Sequence, residues 1–177
     1  MKVIQGKYKG ISLKGFDIDG TRPTMDRVKE SLFAMIQNNI NGRKVLDLFA
    51  GSGALGIEAL SMGAESVVFV DKNNAACKVI KENLNKINDF ATIIKMDYEL
   101  ALKSFNDIQF DLIFLDPPYK TNYIEKSLEL ISEYDLISDG GLIVCESDDL
   151  NKIKAPDGLK EVKFKKYGEK KVVILKK

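Results

Sequence analysis

The chain contains no histidine among its 177 residues and only two cysteines, Cys77 and Cys145. Without histidine, imidazole acid–base catalysis, Ser-His-Asp chemistry and most catalytic zinc sites are excluded, and no metal is expected. Two cysteines cannot build a disulfide scaffold, so a reducing, cytoplasmic setting is expected. No apolar run approaches the roughly 20 residues of a membrane span. The start, Met1-Lys2-Val3-Ile4-Gln5-Gly6, lacks the long apolar stretch of a signal peptide. Internal repeats, low-complexity tracts and long linkers are missing too.

What is present is an uneven charge distribution beneath a net charge of +1. Residues 1–44 carry +5, residues 45–150 carry −11 and residues 151–177 carry +7. Either the two basic ends meet on one face to hold a polyanion, or abundant lysine solvates edge strands. Charge alone leaves both open.

Hydrophobic periodicity divides the chain into a small N-terminal part, 1–40, and an alternating α/β body, 41–177, within one expected domain. Val3-Ile4-Gln5 and Gly10-Ile11-Ser12-Leu13 read as a small hairpin. Thr24 is placed to cap a helix through Val28, Leu32, Phe33 and Ile36. Strands are expected at Val45–Phe49, Ser66–Asp71, Thr92–Met96, Phe110–Leu115 and Gly141–Glu146, and helices at Ala54–Leu60, Asn74–Asn88 and Tyr123–Tyr134. The strands are nearly unbroken apolar runs, as in a parallel sheet covered by helices on both faces. Two strands near 160–166 and 171–175, joined around Tyr167-Gly168-Glu169, suit a closing antiparallel hairpin. The expected fold is α/β: a Rossmann-like, doubly wound, seven-stranded, mostly parallel sheet.

Asp47-Leu48-Phe49-Ala50-Gly51-Ser52-Gly53-Ala54-Leu55-Gly56 lies where a strand turns into a helix. Gly51 and Gly53 allow a tight turn and close approach of a ligand to the backbone. Asp71, ending the next strand, can accept ribose hydroxyls. Gly51, Gly53 and Gly56 also satisfy the dinucleotide fingerprint, which alone would support a nicotinamide-dependent oxidoreductase. Asp47 argues otherwise, because a carboxylate there repels pyrophosphate and attracts the ammonium of a methionine moiety. Asp97, after the third strand, suits an adenine amino group. The expected cofactor is S-adenosylmethionine, with Asp47, Phe49, Gly51, Ser52, Gly53, Asp71, Lys72, Asp97 and Tyr98 as its candidate contacts.

Asp116-Pro117-Pro118-Tyr119 follows the fourth strand. Two prolines fix φ and remove two backbone donors, leaving carbonyl acceptors without competition. An exocyclic base amine is a poor nucleophile because its lone pair is delocalised into the ring. Accepting its two hydrogens, on Asp116 and on a carbonyl near Pro117, would draw that lone pair out of the plane. Tyr119 offers a flat face for a base rotated out of its helix. Asp116, Pro117, Pro118 and Tyr119 are the candidate catalytic residues. The cysteines lie within a helix and a strand and read as core rather than nucleophiles.

The order glycine motif, Asp71, Asp97, Asp-Pro-Pro-Tyr resembles the amino-methyltransferase branch of Rossmann-like methyltransferases. Arg22-Pro23-Thr24-Met25-Asp26-Arg27-Val28-Lys29-Glu30-Ser31-Leu32-Phe33 is similar to the opening segment of the bacterial 16S rRNA guanine-N2 methyltransferase family, RsmD. Ile4 to Leu13 fits its basic N-terminal hairpin, and Lys166-Tyr167-Gly168 its last one. Gln5 stands where that family often has Gly, and Lys7, Lys9 and Lys29 where it has Arg. The resemblance implies methylation of guanine N2 in 16S rRNA, free or in an assembling small subunit, with Lys7, Lys9, Arg22, Thr24 and Arg27 as candidate RNA contacts. Residue chemistry alone leaves adenine-N6 methylation of DNA or RNA, an oxidoreductase, or a binding module without catalysis as alternatives.

Overall fold

The structure, a computed structural model, describes residues 1–16, 23–118, 122–150 and 153–177, with residues 23–26 described as backbone. The elements in order are α1 (Pro23–Ile36), β1 (Lys44–Asp47), α2 (Ala54–Ser61), β2 (Ser66–Asp71), α3 (Asn74–Ile87), β3 (Thr92–Lys95), α4 (Tyr98–Ser104), β4 (Phe110–Leu115), α5 (Tyr123–Glu133), β5 (Ile137–Ser147), β6 (Lys160–Tyr167) and β7 (Lys170–Lys176). The seven strands form one sheet in the order β3-β2-β1-β4-β5-β7-β6. Strands β1 to β5 pair in parallel, and β7 runs antiparallel to both β5 and β6. The order reverses between β1 and β4, so the crevice at their carboxyl ends is where a ligand finds room.

Each sheet face has its own core. Val45, Phe114, Val144 and Ile174 pack with Phe33 and Ile36 of α1, Ile57 of α2 and Ile80 of α3. Leu46, Leu115, Cys145 and Val173 pack with Leu102 of α4 and Leu128 of α5. Adjacent strand residues thus serve opposite cores, which is why β1, β4 and β5 are apolar almost without interruption.

The N-terminal hairpin forms around the antiparallel bridge Lys2 to Ser12, with backbone bonds from Val3 N–H to the Ile11 carbonyl at 3.0 Å, Gly10 N–H to the Val3 carbonyl at 2.8 Å and Leu13 N–H to the Met1 carbonyl at 2.9 Å. Next to it, the Glu58 carboxylate accepts the N–H groups of Ile4 at 2.9 Å and Gln5 at 2.7 Å. Three features differ from the sequence reading. Pro23, not a residue after Thr24, opens α1, so Thr24 stands in the first turn rather than at the cap; proline suits this position because the first helical N–H has no intrahelical partner. α4 has only seven residues, too few to register as a periodic pattern, and is nucleated by Asp97, whose side chain accepts from the N–H of Glu99. β5 begins at Ile137, before its two glycines, because Ile137 pairs with Phe110 across an irregularity in register.

Glu58 joins the N-terminal part to the body. Its side chain is fully buried, and it pairs with Lys29 Nζ at 3.0 Å, which also donates to the carbonyl of Lys2 at 2.7 Å. One carboxylate therefore satisfies a buried cation and two backbone donors. Replacing Glu58 with Ala would strand all three, and about 3–5 kcal/mol of stability is expected to be lost. Urea unfolding of the Glu58→Ala protein measures this; a loss below about 1 kcal/mol would show that the pair does not hold the segment.

Candidate active site

A cavity of about 460 Å³ opens at the carboxyl ends of β1, β2 and β4. Asp47, Gly51, Asp71, Tyr98, Asp116 and Pro117 are in its wall, drawn from the ends of four strands and the segments that follow them. Phe49, Ser52, Lys72 and Pro118 line it too.

The glycine loop is set from below by Asp47. Its Oδ2 accepts the N–H of Gly56 at 3.0 Å, linking the end of β1 to the first turn of α2. Burial disfavours its charge and pushes its carboxyl up to about 7, with the Gly56 hydrogen bond pulling down and nearby Asp71 adding to the rise. Gly53, with φ 78°, precedes α2 in a left-handed conformation that favours glycine. Asn83, buried on α3, donates to the Ser52 carbonyl at 2.9 Å and to the Lys14 carbonyl, and accepts the Lys14 N–H. It ties the loop to the N-terminal segment.

Asp71 already works within the protein. One carboxylate oxygen accepts from Gly51 N–H at 2.9 Å and the other from Asn73 N–H at 2.8 Å. Each oxygen keeps a lone pair for a ligand hydroxyl. Asp97 does not line the cavity; its carboxylate caps α4 at 3.0 Å from Glu99 N–H. The wall beside it is aromatic instead. Phe49, Tyr98 and Tyr123 form a triangle with ring centroids 4.8 to 6.0 Å apart, and Lys72 Nζ lies 5.9 Å from the Tyr123 ring. Burial and the neighbouring Glu99 push the Tyr98 hydroxyl above its ordinary range, keeping it neutral.

Asp116 stands directly after β4 and is half-buried, followed by buried Pro117 and exposed Pro118. Leu115 is level with Cys145, so Asp116 comes level with Glu146 on β5, which pairs with Val172 of β7. Alternation along strands puts Asp47, Asp116, Glu146 and Lys170 on one face of the sheet. Lys170 lines the cavity and forms an ion pair with Glu146. Burial raises the Asp116 carboxyl well above the usual carboxylate range; Glu146 and Asp47 raise it further, and Lys170 opposes them.

Met1, Phe16, Leu55, Met96, Tyr123 and Lys170 are cavity residues that sequence motifs did not identify. Met1 and Phe16 could not have been found, since only tertiary contact brings the N-terminal segment here. Lys170 had one signal, its place at the start of a strand expected to close the sheet.

Tyr119 and Arg22 lie outside the described residues, and Thr24 is described only as backbone. Lys7 and Lys9 are exposed but are not at the cavity. The Lys7 N–H donates to the carbonyl of Ser61, at the far end of α2 from the glycine loop, and Tyr8 OH donates to Asp89 beyond the end of α3. Arg27 is exposed on α1. Cys145 is buried, whereas Cys77 is only half-buried, its thiol 3.6 Å from the Asp71 carbonyl. Among the described residues no cluster suited to a metal ion occurs, and no helix is long and apolar enough to cross a membrane.

A family model described as "Conserved hypothetical protein 95" matches residues 1–176. Ribosomal RNA small subunit methyltransferase D of Haemophilus influenzae is 34% identical over 172 residues, covering 95% of this chain and 89% of that protein. The chain belongs to the RsmD family of methyltransferases. YlbH of Bacillus subtilis is 42% identical over 184 residues, covering 100% of this chain and 99% of that protein. The solved YhhF structure from Escherichia coli has a TM-score of 0.90 at 27% identity, covering 100% of this chain and 97% of that one. Family membership replaces the oxidoreductase reading of the three glycines, in agreement with the buried carboxylate beneath them.

Gly56 serves this family's loop by being small. A Cβ built on it would lie 2.2 Å from Phe69 Cε1 and 2.9 Å from Val67 Cγ1. Gly56→Ala is expected to lose about 1–3 kcal/mol through overpacking beneath the loop. Thermal unfolding checks this, and an unchanged midpoint would show that Phe69 moves aside freely.

Proposed function

We propose that the protein transfers a methyl group from S-adenosylmethionine to the exocyclic N2 amine of a guanine in 16S ribosomal RNA, free or within an assembling small subunit. Residues 1–177 act in this reading as one methyltransferase unit. The rRNA substrate is supported by the relatives named small subunit methyltransferase D. An amine acceptor is supported by the residues themselves, above all Asp116 followed by two prolines at the cavity wall. Adenine N6 presents the same kind of amine, so the choice of guanine rests on the family.

The cavity suits the cofactor. Asp47 is a buried carboxylate with no ion-pair partner among the described residues, raised to about 7 by that burial, and an amino-acid ammonium would supply a charge opposite it. Asp71 offers acceptors to ribose hydroxyls, and the aromatic triangle offers apolar surface to an adenine ring. When bound, S-adenosylmethionine supplies an electrophilic methyl carbon on a positively charged sulfur.

The chain's own residues meet the remaining demands. Asp116 accepts one hydrogen of the target amine, and the carbonyls around Pro117, which face no proline N–H, accept the other. With both hydrogens held, the lone pair is turned from the ring toward the cavity. As the new N–C bond forms, the nitrogen carries one proton too many. Asp116 takes that proton, which its raised affinity favours, and passes it to water. The walls exclude bulk water, which strengthens both hydrogen bonds.

Asp116→Ala is expected to abolish methyl transfer to RNA while leaving cofactor affinity nearly unchanged; labelled-methyl transfer and calorimetry separate the two, and retained turnover would refute the role. A second expectation concerns pH. Because Asp47 binds its proton more tightly folded than unfolded, the ligand-free fold loses stability as pH rises from the ordinary carboxylate range to about 7. Cofactor affinity runs the other way, since an ammonium needs the ionised form. It should fall below about 7 and level off above it, and Asp47→Asn should flatten the profile. Calorimetric titrations on either side of that value test both.

A further inference from the structure

The two basic ends of the chain do meet on one face, but not where the N-terminal lysines would have put them. Residues 160–177 contain eight lysines against two glutamates. They form the last hairpin, with β6 at the edge of the sheet and β7 beside β5. The hairpin's turn lies at the carboxyl end of β5, where Lys170 enters the cavity wall. β6 runs away from that point, exposed from Lys160 to Lys166.

α1 lies along the same hairpin. Ser31 accepts from Lys165 Nζ at 2.8 Å and bonds Tyr167 OH, and the Met35 carbonyl accepts from Lys163 Nζ at 2.5 Å. Ser31 and Met35 are four residues apart, on one helix face, and Arg27 is the next position up that face, toward the turn of the hairpin. Exposed Arg27 therefore extends the row of Lys163 and Lys165, on the face of the hairpin that carries Lys170, toward the cavity.

The other face of this edge strand, where Phe164 comes level with Val173 and Lys166 with Lys171, leaves Phe164 open to solvent at 46% exposure, and Val162, at an irregularity in register, is open at 48%. Lysine on an edge strand also serves to prevent pairing with another chain. That purpose is worked against, not helped, by an open phenylalanine and valine. An aromatic ring between cations is instead the composition of a surface that holds unpaired nucleotides, with bases on the ring and phosphates on the lysines. A base amine reaches a walled cavity only when its nucleotide leaves the stack, so the flanking strand must be gripped close to the cavity opening.

We infer that the exposed edge of β6 nearest the cavity and the turn into β7 form the track that holds the RNA strand flanking the target nucleotide, with Phe164 stacking one of its bases. This rests on the rRNA reading above. It assigns RNA contact to Lys166 and Phe164, next to the turn, rather than to Lys7 and Lys9, which lie at the opposite ends of α2 and α3. Lys163 and Lys165 also hold α1 and are poor sites for a test.

The experiment uses the full chain and two probes, a labelled single-stranded RNA of mixed sequence and small ribosomal subunits lacking the modification. Lys166→Gln should lower the slope of log affinity against log salt for the oligonucleotide by roughly 0.7. Phe164→Ala should weaken oligonucleotide binding about tenfold at fixed salt. Lys7→Gln/Lys9→Gln should change neither, and all variants should keep their melting temperature and cofactor affinity. Unchanged slope and affinity in the β6 variants would overturn the inference, as would the same loss in the Lys7/Lys9 variant. The two readings fail separately. Small subunits methylated by wild type and β6 variants alike, with RNA affinity intact, would remove the track and keep the reaction. RNA bound through β6 with no methyl transferred would keep the track and remove the reaction.

Discussion

The carboxylate of Asp47, closed beneath the glycine loop and taking the Gly56 N–H at 3.0 Å, is the constraint from which the rest of the site follows. It fixes where β1 stops and how α2 starts. The loop between them then has little freedom, and Asp71 holds its other side through Gly51 N–H. A buried carboxylate with one hydrogen bond and no cation among the described residues is an unfavourable arrangement for a fold considered alone. It becomes sensible when the group is regarded as half of a pair whose other half arrives with the ligand. Stability is given up at a functional site and recovered from the apolar cores on either side of the sheet.

The same face of the sheet carries Asp116 and Glu146, so three carboxylates gather at neighbouring strand ends with Lys170 facing them. Burial, reinforced by Glu146 and Asp47, holds the Asp116 carboxyl above its usual range. Lys170 limits that effect, and the antiparallel β7 is what delivers it there. The closing hairpin thus contributes to the site rather than merely finishing the sheet. Through β6 it also presents exposed lysine beside the turn that reaches the opening.

Much of this was legible in the residues. Val67–Val70 and Leu112–Leu115 could only be buried strands, and the helix through Val28, Leu32, Phe33 and Ile36 lies as its spacing requires, with all four buried. Gly51, Asp71 and Asp116 declare themselves because each follows an apolar strand, and strand ends are where α/β sheets bind ligands. Asp97 shows the limit of such reasoning: the same position served a short helix as its cap. Side-chain acceptors at strand ends satisfy caps and ligands by the same chemistry, and only geometry separates the two. What the residues did not reveal about the N-terminal hairpin is its anchor, since Glu58, more than fifty positions away, takes the N–H groups of Ile4 and Gln5.

Sequence by itself determined most of the elements, the parallel core and the loop that turns on glycine, because each depends on neighbours within a few residues or on a simple period. Tertiary structure alone decided which charges meet. Glu146 and Lys170 are 24 positions apart in the chain, and Lys29 and Glu58 further, and no local pattern marks either pair. It likewise decided which lysines stand near the cavity and which lie at its far end. Charge acts through space with little regard to sequence separation, so its consequences appear only once the sheet has set the distances.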